Sequence, residues 1–153
     1  MNYNTDNPQF HEEVFNEVGD VVQECFDYLN DDEAEKLDVI YAIGSIEEGW
    51  SSFGVFFQIQ NELFKINQIK NKDNYESQMA ILDNGTDFLK KIEDIFKIYS
   101  QQIPTQIKIR FFTETEEVKY NFEYDLLWSN REDCQSEDLY YEWFEEIKNS
   151  LAQ

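Results

Sequence analysis

The stretch that decides the fold is LDVIYAIGSIEEGWSSFGVFFQIQ, from Leu37 to Gln60. Its first part, Leu37–Gly44, has the β-branched and aromatic composition of a buried strand. In its second part Phe53, Val55, Phe57 and Ile59 alternate with Gly54, Phe56, Gln58 and Gln60. A period of two puts successive side chains on opposite faces of a sheet. Between the two parts, Glu47-Glu48-Gly49 reads as a hairpin turn. A third, shorter strand is expected over Leu63–Ile69, after a turn at Asn61-Glu62. Together these make an antiparallel meander.

On either side the apolar period lengthens to three and four. Val14, Val18, Val21, Val22, Cys25, Phe26 and Leu29 mark one face of a helix over about residues 8–29, with Pro8 near its start. Its opposite face carries Glu13, Glu17, Asp20, Glu24 and Asp27. Asp31, Asp32 and Glu33 follow its far end, where acids oppose the helix dipole, so they read as a solvated loop or one aimed at a basic partner. Helical spacing returns over residues 75–101 through Leu82, Leu89, Ile92, Phe96 and Tyr99. Asp83-Asn84-Gly85-Thr86 is expected to interrupt it, with Thr86 capping the second part, and Pro104 ends the element.

Two more alternating runs follow, Ile107, Ile109, Phe111 and then Val118, Tyr120, Phe122, Tyr124, joined through Thr113–Glu117. Leu139, Trp143, Phe144, Ile147 and Leu151 form the apolar side of a last helix. The order α-β-β-β-α-β-β-α implies an α+β fold, a single domain over residues 1–153 on an antiparallel sheet of about five strands. Residues 1–7 are expected to be flexible.

Charge is distributed unevenly. Residues 1–35 hold eleven acids and no lysine or arginine, and residues 114–146 hold twelve acids against Lys119 and Arg131. The stretch between is nearly balanced, within a net charge of −21. Such a field repels nucleic acid and anionic membranes and attracts a basic protein. If the two terminal helices share one side of the sheet, the two blocks merge into one acidic surface. With 16% aromatic residues the chain has enough apolar area to fold despite its self-repulsion.

Little in the chain points to catalysis. His11 is the only histidine and opens a surface helix. Cys25 lies on an apolar stripe and reads as a buried thiol, whereas Cys134 stands among Glu132, Asp133 and Glu137, which blunt it as a nucleophile. A hydrolase using Cys134 or a carboxylate pair is the weakest of the readings considered. Asp31-Asp32-Glu33 and Glu116-Glu117 match no calcium loop, and the five glycines are scattered singly, so neither a metal nor another cofactor is expected. Lys65, Lys70 and Lys72 come closest to a basic cluster, too few for nucleic-acid binding. No apolar run is long enough to span a membrane, and MNYNTDNPQF lacks the pattern of a secretory leader, so a cytoplasmic location is expected.

What remains is surface. Tyr124-Asp125-Leu126-Leu127-Trp128 with Arg131-Glu132-Asp133 mixes aromatics and acids, the composition of interface hot spots. Trp128 and Trp143 have the alternative of packing the last helix onto the sheet.

Several strings resemble the YezG-like immunity family, which neutralises secreted bacterial nuclease toxins. They are the opening helix, the strand at Val39–Ile43, the aromatic strand Phe53-Gly54-Val55-Phe56-Phe57, the long central helix and a late hairpin. That hairpin runs from Ile107-Lys108-Ile109-Arg110-Phe111-Phe112 to Lys119-Tyr120-Asn121-Phe122-Glu123-Tyr124-Asp125, and Trp143 falls in the final region. The resemblance implies a cytoplasmic, non-catalytic inhibitor of a cognate toxin. Its partner is then expected to be a basic nuclease domain, held at the active site or substrate cleft by acidic and aromatic residues. The expected contact residues are Asp31, Asp32, Glu33, Glu47, Glu48, Asp125, Trp128, Glu132 and Asp133. A second reading is a general nucleic-acid mimic or adaptor acting on a basic host protein. An exposed strand edge or the aromatic last helix could support a homodimer.

Overall fold

The computed structural model describes residues 7–69 and 75–153. The expected flexibility of residues 1–7 concerns, apart from Asn7, positions outside the described residues. Asn7 itself is ordered into a cap: its side chain accepts hydrogen bonds from the backbone N–H groups of Gln9 and Phe10, at 2.9 and 3.3 Å. It opens helix α1, Pro8–Asp27, with Pro8 in the first turn where its missing donor costs nothing.

A short helix α2, Asp31–Glu35, follows instead of a loop. Asn30 and Glu33 form a reciprocal capping box, Glu33 N–H to Asn30 Oδ1 at 2.9 Å and Asn30 N–H to Glu33 Oε1 at 3.4 Å. Asp31, Asp32 and Glu33 therefore occupy a helix N-terminus, where negative charge is favourable, and not the unfavourable end of α1.

The meander then forms: β1, Leu37–Glu47; β2, Trp50–Ile59; and β3, Glu62–Lys65. The β1–β2 turn has Glu48 at φ 53° and Gly49 at φ 77°, the left-handed pair that matches the twist of a two-residue hairpin. Gln60 and Asn61, at φ 51° and 67°, make a second such turn, one residue earlier than expected. Strand β3 is only four residues because Ile66–Gln68 coils into a 3-10 turn.

Helix α3, Tyr75–Ile98, runs without interruption, and Thr86 caps nothing. Gly85 serves packing: a Cβ there would lie 2.0 Å from the Phe53 ring, so the glycine lets the helix approach β2. The late hairpin is β4, Gln106–Phe112, and β5, Glu117–Glu123, before helix α4, Ser136–Leu151. The five strands form one antiparallel sheet in the order β3-β2-β1-β4-β5, an α+β fold with helices on both faces.

Alternation along the strands separates two cores. Ile40, Ala42, Val55, Phe57, Ile107 and Ile109 face α1 and α3, meeting Val18, Leu89, Ile92 and Phe96. Val39, Tyr41, Ile43 and Phe56 face the other way, against Leu139, Trp143 and Phe144 of α4. Trp143 is buried edge-on to Tyr41 and Phe56, with ring centroids 5.5 and 5.3 Å away, so it packs the helix onto the sheet. The acidic helices α1 and α4 thus lie on opposite faces, so the acids of these two helices do not merge into one surface.

Candidate protein-binding surface

From Val39 onward the odd-numbered residues of β1 face α4, and the strand's last residue, Glu47, obeys that parity. It is only 2% exposed, which corrects the expectation of a contact residue. Its carboxylate holds the loop between β5 and α4. The backbone N–H of Leu127 donates to both oxygens at 3.1 Å, and those of Trp128 and Ser129 donate to Oε1 at 3.3 and 3.0 Å. The Ser129 hydroxyl donates to the same oxygen. Successive N–H groups of this kind form a nest for an anion, here filled by a side chain of the same chain. Burial opposes the charged form of Glu47, but the Ser129 hydroxyl and the three N–H donors outweigh it and hold its pKa below the ordinary carboxylate value.

Four further bonds immobilise the loop. Trp128 Nε1–H donates to Ser45 Oγ at 3.1 Å, and Trp128 packs half-buried against the α4 core. Thr105 Oγ1–H donates to the Asp125 carbonyl at 2.6 Å. Arg131 donates to the Leu127 carbonyl at 2.9 Å and to Glu142 of α4 at 3.2 Å. Trp128 therefore anchors the loop more than it presents itself.

Apolar surface emerges around this anchor. Trp50, the cross-strand neighbour of Glu47, is 68% exposed and Leu126 is 44% exposed, whereas Tyr124, 43% exposed, lines a pocket with Phe10, His11 and Val14 on the α1 side. The acidic positions at this end are Glu48 in the turn and Asp125, Glu132 and Asp133 in the loop, all exposed, with Arg131 next to Glu132. Glu132 and Asp133 also line a shallow concavity with Asp138, Glu142 and Glu145 of α4.

Of the nine expected contact residues, the fold brings six to this end: Glu47, Glu48, Asp125, Trp128, Glu132 and Asp133. Asp31, Asp32 and Glu33 sit at the start of β1, about 33 Å away at the usual rise of an eleven-residue strand. Asp32 there pairs with Lys36 at 3.6 Å. The sequence reading overlooked Trp50. Its even number was the available signal: it places the side chain on the α4 face of β2, at an end α4 does not cover.

Neither a protein-family model nor a curated protein matches this chain.

The remaining chemistry is sparse. Burial, assisted by Glu24, pushes the Cys25 thiol far up. Partial burial also raises Cys134, with Asp138 and Glu142 adding to it against Arg131. Among the described residues no three His, Cys, Asp or Glu side chains are placed to hold a metal. Nor is any helix among them long and apolar enough to cross a membrane.

Lys70 and Lys72 lie outside the described residues, and Lys65 sits over the Tyr141 and Phe144 rings, 5.0 and 4.6 Å from their centroids. The cations the fold does bring together are Lys108, Arg110 and Lys119, on the α4 side of β4 and β5. Arg110 stands directly across from Lys119, and Lys108 lies 5.0 Å from the Trp143 ring centroid.

Proposed function

We propose that this protein is an immunity-type inhibitor that binds a basic nuclease toxin, the role implied by the resemblance to the YezG-like family. One observation carries the reading: exposed Trp50 and Glu48 of the first hairpin stand beside the loop that Glu47 fixes, and the loop carries exposed Leu126, Asp125, Glu132 and Asp133. Fixing the loop before contact lowers the ordering cost of binding. Aromatic anchors supply contact area, and carboxylates stand in for the phosphates a nuclease must hold. The net charge of −21 steers a basic domain toward the molecule from a distance.

The test is association with purified basic nuclease domains of secreted toxins, followed by stopped-flow fluorescence. Trp50→Ala is expected to speed dissociation at least tenfold. The triple reversal Glu48→Arg, Asp125→Arg and Glu132→Arg is expected to slow association and flatten its salt dependence. Unchanged rates in both variants would rule this end of the sheet out as the contact.

A further inference from the structure

The sheet has a second feature suited to a partner, at the outer edge of β2. Strand β3 pairs only with Phe56–Ile59, so Trp50–Val55 has no neighbour on that side among the described residues. The direction of its backbone groups follows from the hairpin. Glu47 and Trp50 flank a two-residue turn, so even residues of β2 bond to β1 and odd ones point outward. The Tyr140 hydroxyl confirms this by donating to the outward Val55 carbonyl at 3.1 Å. Ser51 and Phe53 each turn an N–H and a C=O toward the open side.

Ser52 to Val55 of that edge floor a cleft of about 340 Å³, and Ser51 lies exposed just outside it. Gln78 and Leu82 of α3 form one wall, Glu137, Tyr140 and Tyr141 of α4 form the other, and Lys65 closes the β3 end with its ammonium over the Tyr141 ring. Gly54 keeps the cleft narrow: a Cβ there would lie 2.4 Å from the Tyr140 ring, so only glycine lets that ring lie on the strand. Folded proteins blunt exposed strand edges with charges or proline. The opposite edge of the sheet follows that rule, with Glu117, Lys119 and Glu123 along β5. The segment WSSFGV of β2 carries neither a charge nor a proline.

We propose that the open edge of β2 takes an extended segment of a basic partner protein as an added strand, with apolar and basic side chains alternating. The backbone of the segment pairs with Ser51 and Phe53. Its side chains on the α3 side meet Leu82 and are apolar, and those on the α4 side meet Glu137 and the Tyr140 ring and are basic, stopping short of Lys65 at the β3 end. A second copy of this chain is a poor occupant. Its own edge is equally recessed between two helices, and each copy brings a charge of −21. The basic character of the segment rests on the proposed function; the availability of the edge does not.

The probe is a fluorescein-labelled decapeptide of alternating valine and lysine, at salt high enough to screen surface charge. Three controls accompany it: the same peptide N-methylated along one edge, a valine–glutamate counterpart, and the protein variant Ser51→Pro. Proline at this exposed position removes one outward N–H without breaking a β1–β2 bond. Anisotropy is expected to show binding, weakened at least tenfold by N-methylation, by glutamate and by Ser51→Pro. Amide exchange is expected to slow at Ser51 and Phe53.

No binding, equal binding of the N-methylated peptide, or protection confined to other strands and helices would overturn the pairing. Equal binding of the glutamate peptide would overturn the basic occupant. Concentration-dependent protection of Ser51 without peptide, with a dimer in sedimentation, would assign the edge to a second copy instead. Toxin association, measured separately, decides the proposed function, so either idea can fail alone.

Discussion

Glu47 Oε1 lies 3.0 Å from the backbone nitrogen of Ser129, eighty-two positions later in the chain. This contact joins the first hairpin to the loop before the last helix. It turns an acidic residue that resembles surface charge into the support of a surface. Removing the carboxylate leaves three N–H donors partly buried and unpaired, which costs more than the bonds themselves are worth. Glu47→Ala is therefore expected to destabilise the fold by about 2–3 kcal/mol. A urea midpoint that falls with unchanged slope would show it, and an unchanged midpoint would mean the loop is held by other contacts.

The same group sets a pH dependence. Because its folded pKa is depressed, Glu47 contributes stability above the ordinary value of 4.5 that is lost as pH falls through the lower folded value. Amide protection at Leu127, Trp128 and Ser129 is expected to persist below pH 4.5 and then collapse. In Glu47→Gln this acid-linked loss should be absent. If the wild-type loop loosened well above pH 4.5, the carboxylate would not be its clamp.

Two tryptophans should separate packing from presentation. Trp143→Ala, in the core between Tyr41 and Phe56, is expected to cost about 3–5 kcal/mol. Trp50→Ala, largely exposed, should change stability by no more than about 0.5 kcal/mol. Thermal melts of the two variants decide this. A large loss in Trp50→Ala would make it a structural residue.

At Gly85 two effects compete. Alanine favours a helix interior by about 1 kcal/mol over glycine. Its methyl, however, would sit 2.0 Å from the Phe53 ring, and overpacking of that kind costs about 1–3 kcal/mol. Net destabilisation is expected, recovered in Gly85→Ala with Phe53→Leu. A stabilised single variant would show that α3 stands farther from β2.

The thiols provide a further check on burial. Cys25 is 1% exposed on α1, and Cys134 is partly accessible in the loop. Iodoacetamide with mass spectrometry should alkylate Cys134 first, and Cys25 only on unfolding. Equal native rates would contradict the packing of α1.

The composition of Leu37–Gly44 and the alternation in Phe53–Gln60 and the late hairpin were sufficient to predict these strands, because a strand buried on both faces is apolar throughout and others follow a period of two. Helical spacing likewise identified α1, α3 and α4. The short helix at Asp31 was missed because its signal is a reciprocal cap at Asn30 and Glu33, and not an apolar stripe. The break expected at Gly85 was wrong because glycine there answers a tertiary contact.

By itself, then, the sequence determined the three long helices, the presence and order of the five strands and the concentration of acid at both ends. Only the tertiary structure decided that α1 and α4 cover opposite faces, that Glu47 is buried and Glu48 exposed, and that β2 keeps an open edge. Periodicity is local and records which side of an element is apolar. Which sheet face a helix covers, and which donors meet a carboxylate, depends on chain segments eighty residues apart arriving at the same place.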